Sequence, residues 1–276
     1  MTTPWGRVIR NIRKYIFARR DNSAPKSVIL VSGVQRSGTN MIMDFYDRSL
    51  ETTIFYETDK RVYESYHLRT WPELKRNIAV SPSRIVALKA LLEAHELSSL
   101  LDAFAPAKLV WIFRPYDDMV NSYMQNWPGG RNEIDKIIKD PDSAEWRGKG
   151  MTAETHAILK RHYDPAMNNA SALALFWYYR NQLIFDQSLH DDNRCKLVFY
   201  DDLVGLPETC GRNLAEFSGL VPDSRLWSGF HWSSVRRRPP PDIAPEIRRL
   251  NDQMLEKLLH AYSASTSRPM MHRPTR

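Results

Sequence analysis

The chain has 276 residues, 42% hydrophobic and 26% charged, with a formal net charge of +7. That is ordinary for a folded globular protein and long enough for one large α/β domain or two small ones. The two cysteines, Cys195 and Cys210, make neither a disulfide framework nor a zinc site. With no apolar run of about 18 residues, a membrane span is excluded. The positive charge points to an anionic partner (phosphate, nucleotide, nucleic acid or acidic lipid) without choosing among them.

Residues 1–26 form a basic segment that lacks the apolar core and small-residue cleavage site of a secretory signal. Its apolar residues, Trp5 to Phe17, fall roughly on one helical face among Arg and Lys. That suits a short helix packed on the domain or a weak membrane-surface contact. Five short, β-branched or aromatic runs then read as strands buried on both faces: Val28–Val31, Thr53–Tyr56, Ile85–Leu88, Leu109–Phe113 and Leu197–Tyr200. Helical patterns fall at Met41–Leu50, Glu93–Phe104, Tyr116–Asn126, Ala170–Leu189, Pro207–Ser218 and Ala244–Tyr262. Strand alternating with helix predicts an α/β, three-layer fold with a central, mostly parallel five-stranded sheet flanked by helices. A single domain over 27–264 is expected, with an insertion around 128–169 and a tail at 265–276. The insertion carries Gly129-Gly130, many charges and few periodic apolar positions. It reads as a partly helical surface excursion or an acceptor-binding lid.

Between the first strand and its helix lies Gly33-Val-Gln-Arg-Ser-Gly38-Thr39-Asn40. Two glycines with four residues between them have the frame of the P-loop, in which converging backbone N–H groups and a helix N-terminus hold an anion. Nucleoside triphosphatases follow the second glycine with Lys and then Ser or Thr. Thr39 and Asn40 stand there instead, and strand four ends in Arg114 rather than a metal-binding aspartate. A phosphate cradle without a bridging metal is the expectation. Arg114 leaves the carboxyl end of a buried strand, where ligands sit in open α/β sheets, and Ser122 follows one to two turns into the next helix. A planar fork of donors and a hydroxyl suit a terminal phosphate. Asp118 orients Arg114 or caps the helix.

With these residues in place, the sequence resembles the PAPS-dependent sulfotransferases (PAPS, 3′-phosphoadenosine 5′-phosphosulfate). Gln35-Arg36-Ser37-Gly38-Thr39 is similar to that family's 5′-phosphosulfate loop, and Arg114 and Ser122, with Asp118 between them, to its 3′-phosphate motif. Leu197-Val-Phe-Tyr-Asp-Asp-Leu-Val204, then Pro207 and Phe217-Ser-Gly-Leu220, resemble a third ordered segment. The likeness covers about residues 27–50, 84–126 and 170–221 and is closest to the glycan-type and bacterial members.

The resemblance implies that Ser37, Gly38, Thr39 and Asn40 hold the phosphosulfate. Arg36 would stabilise the leaving phosphate, and Arg114 and Ser122 would bind the 3′-phosphate, with Arg236, Arg237 and Arg238 closing over it. Lys89 matches the lysine that precedes the catalytic histidine of the cytosolic enzymes, but Leu91 occupies the histidine position. By analogy with the glycan-type members Glu57 is the leading base, with Glu64, His67 and His95 as rivals. Met41 stands where an aromatic is often found, leaving Trp127, Trp177, Tyr178 and Tyr200 as candidates to stack on adenine. The expected activity is metal-independent, in-line sulfuryl transfer from PAPS to a hydroxyl or amine of a small-molecule, lipid or glycan acceptor, releasing adenosine 3′,5′-bisphosphate. No nucleic-acid partner and a cytoplasmic location, with room for a weak membrane-peripheral contact, go with it. A kinase-like P-loop protein and a non-catalytic nucleotide binder are the alternatives.

Overall fold

The apolar run Val28–Val31 becomes the centre of a sheet, its side chains alternating between two cores. Val28 and Leu30 join the larger one, and Ile29 and Val31 the smaller one on the opposite face. The computed structural model describes residues 14, 26–126, 129–231, 235 and 238–266. In chain order the first half gives β1 (Ser27–Gly33), α1 (Thr39–Arg48), β2 (Thr52–Phe55), a hairpin of β3 (Tyr63–Glu64) and β4 (His67–Leu68), α2 (Trp71–Ala79), β5 (Ile85–Lys89), α3 (Leu97–Ala103), β6 (Ala107–Phe113) and α4 (Tyr116–Asn126). The second half gives α5 (Gly130–Lys139), α6 (Ala153–His162), α7 (Asn169–Asp186), β7 (Cys195–Phe199), α8 (Tyr200–Gly205), α9 (Pro207–Ser218), α10 (Ser224–Trp227) and α11 (Pro245–Thr266).

The main sheet has the order β2-β5-β1-β6-β7, and every pairing in it is parallel. All five expected strands are present in it. The chain moves from β1 outward to one side, to β2 and β5, and then crosses to β6 and β7 on the other. The strand order therefore reverses at β1, the kind of switch point outside whose strand ends α/β proteins bind ligands. Helices cover both faces, making three layers. All five residues of β5 are buried, which is why that strand shows no polar alternation.

Helix α2, the β3–β4 hairpin and the short helices α8 and α10 were not foreseen. Helix α2 buries Leu74 and Ile78 and is begun by a capping box in which Thr70 and Glu73 bond each other's backbone amides. The β3–β4 hairpin turns on Ser65 and Tyr66, both at positive φ (50° and 69°). That is the type I′ geometry normally signalled by Asn-Gly, and no such pair occurs here. Helix α3 begins at Leu97 rather than Glu93, since residues 91–96 form turns, and the Glu93 carboxylate reaches the hairpin, accepting the Leu68 amide at 2.9 Å.

Residues 129–168 are more ordered than their composition suggests. Helix α5 buries Ile134 and Ile137, α6 buries Leu159, and both pack near α7. Helix α7 is apolar nearly all round and passes through the core. Within it Arg180 is fully buried, donating to the carbonyl of Leu91 at 2.6 Å and of Trp146 at 3.3 Å. It ties the segment after β5 to the insertion. Lys14 donates to Asp47 of α1 at 3.0 Å, and the pair is buried. Residues 1–13 and 15–25 of the basic segment, with its expected helix, lie outside the described residues. Among the described residues no helix is long and apolar enough to cross a membrane.

Gly33 ends β1 at φ 145°, where an added Cβ would stand 2.2 Å from the Ile112 carbonyl oxygen. Backbone cannot yield there as a flexible side chain would. Gly33→Ala is therefore expected to lose more than about 1 kcal/mol of stability, read as a lowered urea midpoint at unchanged slope.

Candidate active site

The carboxyl ends of β1, β5 and β6 and the start of α8 open into one cleft of about 1570 Å³. A typical single-ligand pocket holds roughly 300–1,000 Å³, and this cleft is larger. One end is built by the glycine loop. Gly38, at φ 106°, caps α1, and its open Cα lies against the Tyr200 ring, 2.6 Å from where a Cβ would stand. Thr39 is the first residue of α1 and is nearly buried. Ser37 is fully buried, with no hydrogen-bond partner for its Oγ. Arg36 is held at φ 70° and donates from Nε to Ser122 Oγ of α4 at 3.0 Å. The fold has thus brought together two residues 86 positions apart.

Arg114 leaves β6 buried. It pairs with Asp118 at 3.3 Å, and its guanidinium lies 4.5 Å from the centre of the Tyr200 ring. Its carbonyl accepts the indole N–H of Trp177 at 3.0 Å. The carboxylate and the aromatic face fix the guanidinium plane, and that plane sets which phosphate geometry it can meet. Trp177 is fully enclosed in the core, and Tyr200 has one face against Arg114. Trp127 lies outside the described residues, as do Arg236 and Arg237. Arg238 is exposed and does not line the cleft.

Lys89, at the end of β5, is the centre of a second cluster. Its Nζ donates to Glu57 Oε2 at 2.6 Å and to Asn40 Oδ1 at 2.8 Å. Asn40 belongs to the loop–helix junction and Glu57 follows β2, so one ammonium links the anion loop to the leading candidate base. Its backbone is pinned as well: the Lys89 amide donates to the Tyr63 hydroxyl at 2.8 Å, and that hydroxyl donates to the Lys89 carbonyl at 3.0 Å. Burial pushes the Tyr63 hydroxyl well above the usual phenol range, so it stays a neutral donor.

The rivals of Glu57 separate clearly. The Glu64 side chain is exposed, beside Arg69 at 3.9 Å, and does not line the cleft. His95 sits behind Gly150, away from the lining, and burial lowers its pKa. His67 lines the cleft, with Nδ1 at 3.3 Å from Glu93 Oε1. Burial raises the Glu93 carboxyl above its usual range, while the Leu68 amide and His67 oppose the shift. The insertion also lines the cleft, through Asn132, Lys136, Trp146 and Lys149. No sequence motif marked these residues; only the packing of residues 129–150 beside α7 brings them to the cleft.

A parallel sheet with a glycine loop at its switch point and arginines around it defines an α/β nucleotide-phosphate-binding protein of the P-loop class. Within that class the chain belongs to the sulfotransferase-domain family, whose profile matches residues 26–228. Among solved structures it is similar to a sulfotransferase from Alicyclobacillus acidocaldarius, with 14% identity, a TM-score of 0.50, and coverage of 90% of this chain and 98% of that one. It is also similar to the sulfotransferase domain of the Synechococcus PCC 7002 olefin synthase, with 11% identity, a TM-score of 0.52, and coverage of 85% and 96%. At such identities the likeness is one of fold. No curated protein sequence matches the chain.

The tight seat of Gly38 against Tyr200 makes the loop intolerant of a side chain. In Gly38→Ala the loop or the ring must move, and the stabilisation conferred by millimolar sulfate, followed as a rise in melting temperature, is expected to fall by more than half.

Proposed function

We propose that this sulfotransferase takes its sulfuryl group from PAPS and transfers it to an acceptor hydroxyl or amine in one in-line displacement. The observation that carries this reading is the convergence in one cleft of the loop residue Arg36 with Ser122 and Arg114, the residues expected at the two phosphate ends of the donor. The loop amides from Ser37 to Asn40 take the 5′-phosphosulfate at the start of α1. Arg114 and Ser122 take the 3′-phosphate, the group that separates PAPS from simpler adenosine nucleotides. Arg36 exchanges its bond to Ser122 for the donor's oxygens.

In the transfer, an acceptor lone pair forms the new bond to sulfur as the bond from sulfur to the bridging oxygen breaks. The electron pair stays on that oxygen, which leaves as the 5′-phosphate of adenosine 3′,5′-bisphosphate. Arg36 and Lys89 stabilise the growing negative charge. The acceptor proton goes to Glu57. Lys89 holds that carboxylate in place at 2.6 Å while leaving its other oxygen free of the lysine. The order of events places Lys89 between the two charges that change, one gained at the leaving oxygen and one lost at Glu57.

Thermal unfolding with adenosine 3′,5′-bisphosphate, beside AMP and beside ATP with magnesium, tests the donor. The bisphosphate at about 100 times its dissociation constant is expected to stabilise by roughly 2.7 kcal/mol, and Arg114→Ala to abolish the effect. Stabilisation by ATP with magnesium alone would instead favour a kinase-like protein. Glu57→Gln separates binding from chemistry: bisphosphate stabilisation persists, while kcat falls roughly 10²–10⁴-fold, the usual contribution of a positioned base.

A further inference from the structure

The β3–β4 hairpin is built more firmly than a surface loop requires. Glu93, only 6% exposed, takes both the Leu68 amide at 2.9 Å and the neighbouring His67 imidazole at 3.3 Å on the same oxygen. Tyr63, at the other end of the hairpin, is locked onto both backbone groups of Lys89. The hairpin therefore moves with the strand that carries the catalytic lysine. An oxygen that already accepts an amide hydrogen is an acceptor, so Nδ1 is the imidazole nitrogen that carries hydrogen toward it. In the neutral imidazole that leaves Nε2, on the far edge of the ring, as the lone-pair nitrogen. His67 lines the cleft and its side chain is 46% exposed, so the far edge is the one open to a ligand.

Tyr66 precedes it at φ 69° and is 62% exposed, also in the cleft lining. A left-handed tyrosine costs on the order of 1 kcal/mol or more, and an exposed ring gains nothing from the core in return. The turn thus spends conformational energy to display an aromatic face next to a histidine whose tautomer is set from behind. The glycine loop, Arg114 and Ser122 line the same cleft.

We propose that the Tyr63–Leu68 hairpin is the acceptor-reading element of the enzyme: Tyr66 stacks on a ring of the acceptor, and His67, held by Glu93, accepts a hydrogen bond at Nε2 from a hydroxyl on that ring. Glu93 is a positioning residue, acting through His67. The inference rests on the sulfotransferase reading and adds the acceptor class to it, a ring that bears hydroxyl groups.

The test measures release of adenosine 3′,5′-bisphosphate from saturating PAPS with resorcinol, methyl glucoside or glycerol as acceptor, so that each ring carries a hydroxyl besides the one that reacts. The first two separate an aromatic ring from a sugar ring, and glycerol offers hydroxyls without a ring. Wild type is expected to favour one of the two rings over glycerol. For that ring, His67→Ala and Tyr66→Ala raise KM about tenfold with kcat changed less than about twofold, the pattern of a lost binding contact. His67→Gln, whose carboxamide keeps an acceptor atom near the Nε2 position, restores KM to within about threefold of wild type. Each variant retains wild-type stabilisation by adenosine 3′,5′-bisphosphate, which separates a lost contact from a damaged fold. Equal use of glycerol, an unchanged KM in both alanine variants, or no transfer to either ring with bisphosphate binding intact would overturn the hairpin proposal and leave the sulfotransferase reading standing. Absence of both transfer and bisphosphate binding in wild type would remove that reading, and the proposal with it.

Discussion

The close approach of Gly33 to the Ile112 carbonyl governs the active end of the molecule. With only hydrogen on its Cα, the end of β1 can press against β6 and turn at φ 145°, which a side chain would forbid. The chain then crosses the top of the sheet instead of running past it, and reaches α1 through a second glycine pressed on Tyr200. Tyr200 opens α8 directly after β7, and Arg114 leaves β6 beside it. Strand ends far apart in sequence thereby converge on one loop. The cradle is a consequence of backbone contact distances, and the side chains that give it chemistry are arranged around that contact.

Charge is the second constraint. Burying a cation is costly unless it is paired or hydrogen-bonded, and the described cations at this end of the sheet meet that demand. Lys89 has Glu57 and Asn40, Arg114 has Asp118 and the face of Tyr200, and Arg36 has Ser122. These partners fix the orientation of each donor group within the cleft. Arg180 meets the same demand differently, through two carbonyls deep in the core. Its role is to join the segment after Lys89 to the insertion, so the two walls of the cleft are braced through one buried side chain.

Much of this was legible in the residue order. Four of the five strands announced themselves because strands buried on both faces are apolar without interruption, the partly buried edge strand β2 showed through its β-branched and aromatic residues, and α4 and α9 were readable to the residue from their patterns and, for α9, from Pro207 at its start and Gly219 at its end. Helix α2 escaped because only Leu74 and Ile78 turn inward, too few for a period, although Thr70 and Glu73 carried a capping signal. The hairpin escaped for a different reason: its turn is made by Ser65 and Tyr66, residues whose propensity points away from positive φ. Its geometry is held by Glu93 and Tyr63 through contacts across the fold, and such contacts leave no local trace.

The amino-acid sequence by itself determined the parallel sheet, the glycine loop at its centre and the side chains that stand at the strand ends beside it. Those features depend on hydrophobic runs, on glycine's freedom at positive φ and on residues adjacent to strand ends, all of them local. Tertiary structure alone decided which candidates share a cleft. It paired Lys89 with Glu57, turned Glu64 outward, set His95 behind Gly150 and placed His67 against Glu93. Each of these outcomes depends on the direction a side chain takes once helices and loops distant in sequence have packed, and no spacing along the chain encodes that direction.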